Sequence, residues 1–548
     1  MPEENTTDTP ALESPDASNG RPMSSTDRSF SGKVIRNTLY NVVGNMWSMA
    51  LRFFIAPYTL HHIGNERYGV WAIVGILTGY FGLLDFGLGR SFDKYFAEYY
   101  TKRDMEQFNK VFNIGLIFYL LFTVCCILIV SFGYLYFMGL LGLSLDRISP
   151  AVYDETVFAI IGSVVVFGWG MATSVFGMIL IGLQRMDMLN KINIGVSILS
   201  VLGTIIALEE GYGLRGLVLS SGLVAILGSV ITVTTAYQLV PGLRLNPRLI
   251  EWQTFREMFS FGAKLQVAKL ANLVTFQLNS LLISRFFHVS LVTPYSFAAG
   301  LIGSVRNVVL MLPSAVIPAT AELEARNQKE KALEFYDRGT RYLVLIGTPI
   351  CTFCIVAAPV LILAWLGKNY ELASEAVLLV QLLTLGYYAN LSTGVATGVA
   401  VGMGKPEYEM KFGVLLAVLS VSLSLLLIQW VGFYGPAIGS TISLSICALY
   451  FYRLFHTYLK QPLMPFLRRI YALPVVISLL AGGITYLIQH SLVTLIEPAN
   501  RPVALTILGV ESLVFFGIYI GLIVKTSYLD AYDRSLFRRY MTRMNVRA

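Results

Sequence analysis

Apolar runs of about 20 residues, among them 114–130, 157–182, 343–363 and 503–524, alternate with charged loops along the chain. A bilayer's hydrocarbon core is roughly 30 Å thick and a helix rises about 1.5 Å per residue, so runs of this length are what a membrane-spanning helix requires. A soluble chain of 548 residues would not be 55% hydrophobic and 14% charged. The pattern predicts an all-α polytopic membrane protein with about 14 transmembrane helices. These fall near 34–57, 68–92, 111–138, 156–181, 190–208, 214–238, 256–286, 293–318, 341–364, 374–400, 411–430, 434–456, 470–490 and 503–524.

Cationic residues obey that division. Of 41 Lys and Arg, 31 fall in the two tails and the even-numbered loops, six in the odd-numbered loops and four inside spans. Positive residues are retained in the cytoplasm, so both termini are expected there, in the inner membrane. Residues 1–30 are polar and rich in Ser, Thr, Pro and Asp, and read as a disordered cytoplasmic tail without a cleavable signal. The formal net charge of +8 then belongs to loops meeting anionic lipid, not to nucleic-acid binding.

The chain also repeats itself. Gly182-Leu-Gln-Arg-Met-Asp-Met-Leu-Asn-Lys191 follows the fourth span, and Gly402-Met-Gly-Lys-Pro-Glu-Tyr-Glu-Met-Lys411 follows the tenth, at a constant offset of 220. Each leads into an apolar span and a glycine-rich turn, 211–216 and 432–439. Six spans is an even number, so the copies share an orientation and form parallel repeats. The expected organisation is an N-terminal six-helix lobe over 31–238, an inter-lobe amphipathic linker over 239–258 and a C-terminal six-helix lobe over 259–456. Two additional transmembrane helices over 457–524 and a basic amphipathic cytoplasmic tail over 525–548 complete it.

Further residues carry a resemblance. Asn37-Thr-Leu-Tyr-Asn-Val-Val-Gly44, Pro57, Gly64-Asn-Glu-Arg-Tyr-Gly69, Leu84-Asp-Phe-Gly-Leu-Gly89 and Tyr95-Phe-Ala-Glu98 follow one another near the start. With the repeated glycine turns, this resembles the polysaccharide transporter branch, including O-antigen-type flippases, of the multidrug/oligosaccharidyl-lipid/polysaccharide (MOP) exporter superfamily. The resemblance implies a MATE-like pair of six-helix lobes around a central cavity. It also implies alternating-access flipping of a lipid-linked oligosaccharide, with membrane lipids and polysaccharide polymerase and assembly proteins as partners, and no cofactor.

Charges inside spans are rare because each costs roughly 2.5–3.5 kcal/mol on insertion scales. Arg52 lies in the outer half of the first span, with Asn41, Asn45 and Ser48 on the same helical face. Lys264 and Lys269 lie in the seventh span, with Asn272 and Asn279 continuing from Lys269 at helical spacing. Arg306 sits midway along the eighth span beside Asn307. A mainly basic set suits a diphosphate or acidic sugars, arginine as a fork and lysine as a point charge. Snorkelling or internal pairing is the other reading, most of all for Lys264. Asp85, near the inner end of the second span, either serves in coupling or gating or pairs with Arg90.

The remaining features read as structure. Cys351-x-x-Cys354 lies in an apolar helix, and adjacent His61 and His62 make no metal site. Gly394, Gly398 and Gly402 form a close-packing stripe. Gly404-Lys405-Pro406 lacks the glycine and Ser/Thr of a phosphate loop. No extramembrane loop is large enough to suggest an enzyme. An ion-coupled multidrug antiporter and a non-transporting scaffold of a polysaccharide assembly complex are the alternatives; the first needs acids in its cavity.

Overall fold

A computed structural model describes residues 25–82, 88–143, 148–311, 316–367, 370–496, 501–526 and 528. Side chains are described from Gly44 onward, save at 45, 90, 260–274, 318 and 495–496. Among the described residues all regular structure is helical. Nine helices among the described residues are long and apolar enough to cross a membrane, α12 (Ala373–Ser392) with α13 (Gly394–Gly402) and α14 (Pro406–Val431) with α15 (Gly435–Leu459) each counting together as one. Apolar side chains such as Phe132, Trp430 and Leu513 are exposed on them. In water that would be costly; in lipid it costs nothing, and the chain is a multi-pass membrane protein.

Several expected spans prove to be broken helices. The first element, α1 (Ser25–Phe81), starts inside the stretch read as a disordered tail and joins two helices at Gly64, whose φ of 76° suits glycine. Pro57 lies within it and does not end it. Beyond Phe81 the chain restarts as α2 (Leu88–Lys102), a helix where a loop over 90–110 was expected. The eighth expected span divides into α8 (Val292–Val309) and α9 (Val316–Ala325). The ninth divides at Ala357 into α10 (Lys329–Val356) and α11 (Ala358–Leu366). Pro359, which lacks an N–H, stands in the first turn of α11, where none is needed. The tenth divides at Thr393 into α12 (Ala373–Ser392) and α13 (Gly394–Gly402), and the Thr393 hydroxyl donates back to Asn390 O at 2.7 Å.

In the first half α3 (Met105–Leu140), α4 (Pro150–Gly182), α5 (Met186–Glu209) and α6 (Gly213–Leu239) pack with α1 and α2. In the second half α7 (Trp252–Phe286) packs on α14, α8 on α12, α12 on α15 and α14 on α15. The halves touch where α1 meets α8 and α2 meets α7. The last pair, α16 (Leu463–Ile496) and α17 (Arg501–Lys525), packs on α10 and α11.

Polar contacts near the helix ends include two groups. One joins Arg67 to Glu155 at 2.8 and 2.9 Å, Glu66 to Ser149, Tyr58 to Glu209, Thr293 to Asn65 O and Arg501 to Leu366 O. The other joins Lys110 to Glu251, Arg469 to Asp337, Ser91 to Met258 O and Tyr336 to His456. Members of the first group lie near the loops expected to be odd-numbered, and members of the second near those expected to be even-numbered.

Within the stretch expected as an amphipathic linker, 239–258, the segment between α6 and α7 turns at 241–242 and again as a 3-10 turn, Pro247–Leu249, is otherwise extended, and passes into α7 at Trp252. Two buried asparagines of α3 hold it. Asn109 donates to Gly242 O at 3.0 Å and accepts from Arg244 N at 2.7 Å. Asn113 donates to Arg244 O and accepts from Asn246 N, both at 2.8 Å. Side-chain amides thus replace the ladder partners that an extended backbone lacks. Leu245, Ile250 and Trp252 remain exposed.

The repeated motifs adopt one geometry twice. Arg185 N donates to Leu180 O and Gln184 N to Ile181 O; Lys405 N donates to Ala400 O and Gly404 N to Val401 O. Both are Schellman turns with a left-handed residue, Gln184 at φ 58° and Gly404 at φ 72°. The glycine opening each motif faces a short helix of its own half. A Cβ on Gly182 would stand 2.7 Å from Phe96 Cβ and 3.1 Å from Ala97 N of α2. On Gly402 it would stand 2.7 Å from Thr320 Cβ and 3.2 Å from Ala321 N of α9. Arg103 and Asn327 close α2 and α9 with φ of 58° and 54°.

Candidate functional site

A cavity of about 410 Å³ lies where α1 meets α8, with α11 at its edge. On α1 the face runs Met49, Arg52, Phe53, Ala56 and Thr59, spaced as one side of a helix. On α8 it runs Ser296, Gly300, Ser304 and Asn307, a small polar stripe. Aromatic rings of Tyr68, Trp71, Phe297 and Trp365 supply the rest of the wall. They hold one another: Tyr68 stacks on Phe297 at 4.7 Å, and Phe297 meets Trp365 edge-on at 5.1 Å.

Arg52 is the cation on this wall. Its Nε donates to Ser48 O at 3.2 Å, one turn back, which anchors the stem and leaves the other guanidinium donors to the cavity. The Ser48 hydroxyl is spent on Gly44 O at 3.0 Å. Arg306 stands one residue round α8 from Asn307 and turns away from the cavity. Its Nε donates to Asn390 Oδ1 of α12 at 2.7 Å, and its guanidinium lies 4.8 Å over the Phe276 ring of α7. A weaker contact of 3.4 Å joins it to Asn307 Oδ1. Among the described residues neither arginine forms an ion pair; Arg306 is held by an amide and a ring, which leaves its charge unneutralised.

The side chains of Asn41, Asn45, Asp85, Arg90, Lys264, Lys269 and Asn272 lie outside the described residues. Asn279, read from spacing as a continuation of the Lys269 face, is buried in a network instead. It donates to Tyr295 Oη at 2.9 Å and Ser440 Oγ at 2.5 Å and accepts from Ser424 Oγ at 3.1 Å. That network binds α7, α8, α14 and α15 together. Cys351 and Cys354 are buried free thiols, and His61 and His62 are exposed.

Sequence reasoning had not singled out the aromatic wall. Its signal was present in Tyr68 and Trp71, one turn apart, and in Phe297 beside the small polar stripe 296, 300, 304, 307. Charge drew attention first, yet an aromatic face is what receives the C–H face of a sugar ring.

Comparisons with known proteins agree with this architecture. The family described as polysaccharide biosynthesis protein matches residues 153–375. A Shigella flexneri protein bearing the name O-antigen transporter is 21% identical over 420 residues, covering 76% of this chain and 96% of its own. Lipid II flippase MurJ, in an inward closed conformation, superposes with a TM-score of 0.67 at 12% identity, covering 92% of this chain and 100% of its own. A multidrug resistance MATE family transporter in an inward-facing conformation superposes with a TM-score of 0.63 at 18% identity, covering 77% and 94%. The chain therefore has the fold of the MOP exporter superfamily, and its sequence resemblance to that superfamily's polysaccharide transporter branch is borne out.

Proposed function

We propose that this protein carries a polyprenyl-diphosphate-linked oligosaccharide across the inner membrane by alternating access, for cell-surface polysaccharide assembly. The observation that carries the proposal is the cavity between α1 and α8, where an arginine without an ion-pair partner among the described residues shares the wall with five aromatic rings. Arginine receives phosphate or carboxylate oxygens in bidentate geometry, and in a poorly hydrated site the attraction far exceeds its value in water. The rings stack on sugars. The relatives support the substrate class: one named as an O-antigen transporter in sequence, and a lipid II flippase in fold.

On this reading the chain crosses the membrane 14 times, as two six-helix lobes over 31–238 and 259–456 with both termini cytoplasmic. Arg52 is the outer contact for the anionic head group. Lys264, Lys269 and Arg306, with Asn41, Asn45 and Asn272, extend the path inward, and Asp85 and Arg90 serve coupling or gating. Arg306 is poised to enter the cavity by exchanging Asn390 for a substrate oxygen. The protein acts as a transporter and not as an enzyme.

A multidrug antiporter draws cations with carboxylates. Among the described residues the cavity wall carries no Asp or Glu, which favours an anionic cargo. The test is translocation of a fluorescent lipid-linked oligosaccharide by purified protein in liposomes. Movement that is lost in Arg52→Glu, with membrane insertion intact, is expected. Failure of the wild type to move the lipid, or an undiminished Arg52→Glu, overturns the reading, and drug efflux in a sensitive host would favour the antiporter.

A further inference from the structure

The last two helices bury a carboxyl group that the cavity does not use. Glu511 of α17 is fully buried, and neither carboxyl oxygen has a hydrogen-bond partner. Across the seam stands Gln489 of α16, 5% exposed, whose buried amide faces the carboxyl loosely, without full hydrogen-bond geometry. One turn beyond Glu511, Phe515 closes the site by packing on Phe353 of α10 at 5.4 Å. A buried carboxyl faced loosely by one neutral amide in an apolar seam is a site prepared for something small.

The surroundings identify it. α17 packs on α16, α11 and α10. α11 carries no ionisable side chain. On α10 the ionisable groups at this depth are the thiols Cys351 and Cys354, both buried. Beside Gln489 on α16, His490 is exposed. On α17 itself Tyr519 is committed to Leu345 O at 2.9 Å, and Arg501, about 15 Å of helical rise away, to Leu366 O at 2.9 Å. Among the described residues no cation reaches Glu511. An ionised carboxylate cannot be kept in such a place, because the group takes up a proton before it bears an unpaired charge. A Lys or Arg partner would make it a structural ion pair; an amide makes it a group that can hold a proton and let it go.

The geometry points to Glu511 as a proton-binding site in the appended helix pair, a neutral carboxylic acid while α16 and α17 are closed on it, exchanging its proton with water when they part. The proton comes from and returns to solvent, and Gln489 is the donor that receives the carboxylate in between. Intramembrane acids with this exposure and partner chemistry serve as proton relays in transport proteins. As a route by which a proton gradient drives the lobes, the site rests on the transport reading above.

Infrared difference spectroscopy of the purified protein tests the site without transport. A protonated-carboxyl stretch at neutral pH, absent in Glu511→Gln, is expected. In Gln489→Met the band should persist to higher pH than in wild type, because the donor that stabilises the carboxylate is gone. Identical spectra for wild type and Glu511→Gln overturn the site. Liposome transport tests the coupling. An imposed pH gradient should speed wild-type translocation several-fold and leave Glu511→Gln at the ungraded rate; equal responses, or none in the wild type, overturn it. Absence of any translocation by the wild type removes the transport reading and leaves the infrared result to decide the site.

Discussion

Trp365 holds Phe53 in two ways: its indole Nε1 donates to the Phe53 carbonyl at 2.8 Å, and the two rings lie stacked with centroids 4.7 Å apart and planes 7° from parallel. One residue belongs to α11 and the other to α1, 312 positions earlier, so a single side chain ties the second half of the chain to the first at the rim of the cavity. In a transporter that rocks its halves apart, such a tie closes one face of the cavity. Trp365→Phe keeps a ring and loses the donor, at about 0.5–1.5 kcal/mol. Trp365→Ala loses the stack as well, about 0.5–1.5 kcal/mol more. Opening should become easier in that order. Thiol labelling of Ser304→Cys, on the cavity wall of α8, should accelerate from wild type to Trp365→Phe to Trp365→Ala; equal rates would show that the tie does not govern access.

Arg52 is expected to separate charge from shape. Lysine at 52 keeps a positive charge but not the planar fork, and should lower transport about tenfold, the value of one charge-assisted hydrogen bond of roughly 1.5 kcal/mol. Arg52→Ala should lose about 100-fold, and Arg52→Glu more. Since Arg52 makes only a local bond to Ser48 O, detergent stability should not fall with transport. Parallel loss of both would mark it as a packing residue.

The two arginines also show what a sequence can and cannot reveal here. Arg52 on a polar face of an apolar helix was readable because a charge in a span must face something wet. Arg306 was readable as unusual, but its hydrogen bond to Asn390 crosses 84 residues and no periodicity could pair them. Asn279 shows the limit of a one-helix view: its spacing read it as polar lining, and its partners on α8, α14 and α15 make it part of the core instead. Apolar length marked helices able to cross a membrane. It did not mark the breaks at Ala357 and Thr393, where Pro359 and the Ser392-Thr393-Gly394 run were the local signals and tertiary packing decides whether the helix yields to them.

Asn113 offers a test of the strap between the halves. Its side chain is 1% exposed and serves Arg244 O and Asn246 N together. Asn113→Leu keeps the volume and strands both backbone groups, which should cost about 1–3 kcal/mol. Asn113→Asp should cost nearly as much, since a carboxylate accepts from Asn246 N but repels Arg244 O. Proteolysis between residues 242 and 250 should speed in both variants; unchanged cleavage would show the strap to be held by its neighbours instead.

Gly182 and Gly402 make the repeat itself testable. Each leaves its Cβ position 2.7 Å from a Cβ of the short helix opposite, Phe96 on α2 and Thr320 on α9. Backbone atoms close behind, Ala97 N and Ala321 N, leave little room for either helix to yield. One added methyl in such a contact is overpacking, which typically costs 1–3 kcal/mol. Gly182→Ala and Gly402→Ala should therefore destabilise by similar amounts, read as earlier loss of a monodisperse size-exclusion peak on heating in detergent. Gly177, whose Cβ position meets Leu189 at 3.9 Å, is the control on the same helix, α4, and alanine there should be neutral. If Gly402→Ala is as harmless as Gly177→Ala while Gly182→Ala is not, the two halves share a turn but not the contact that gives the turn its place.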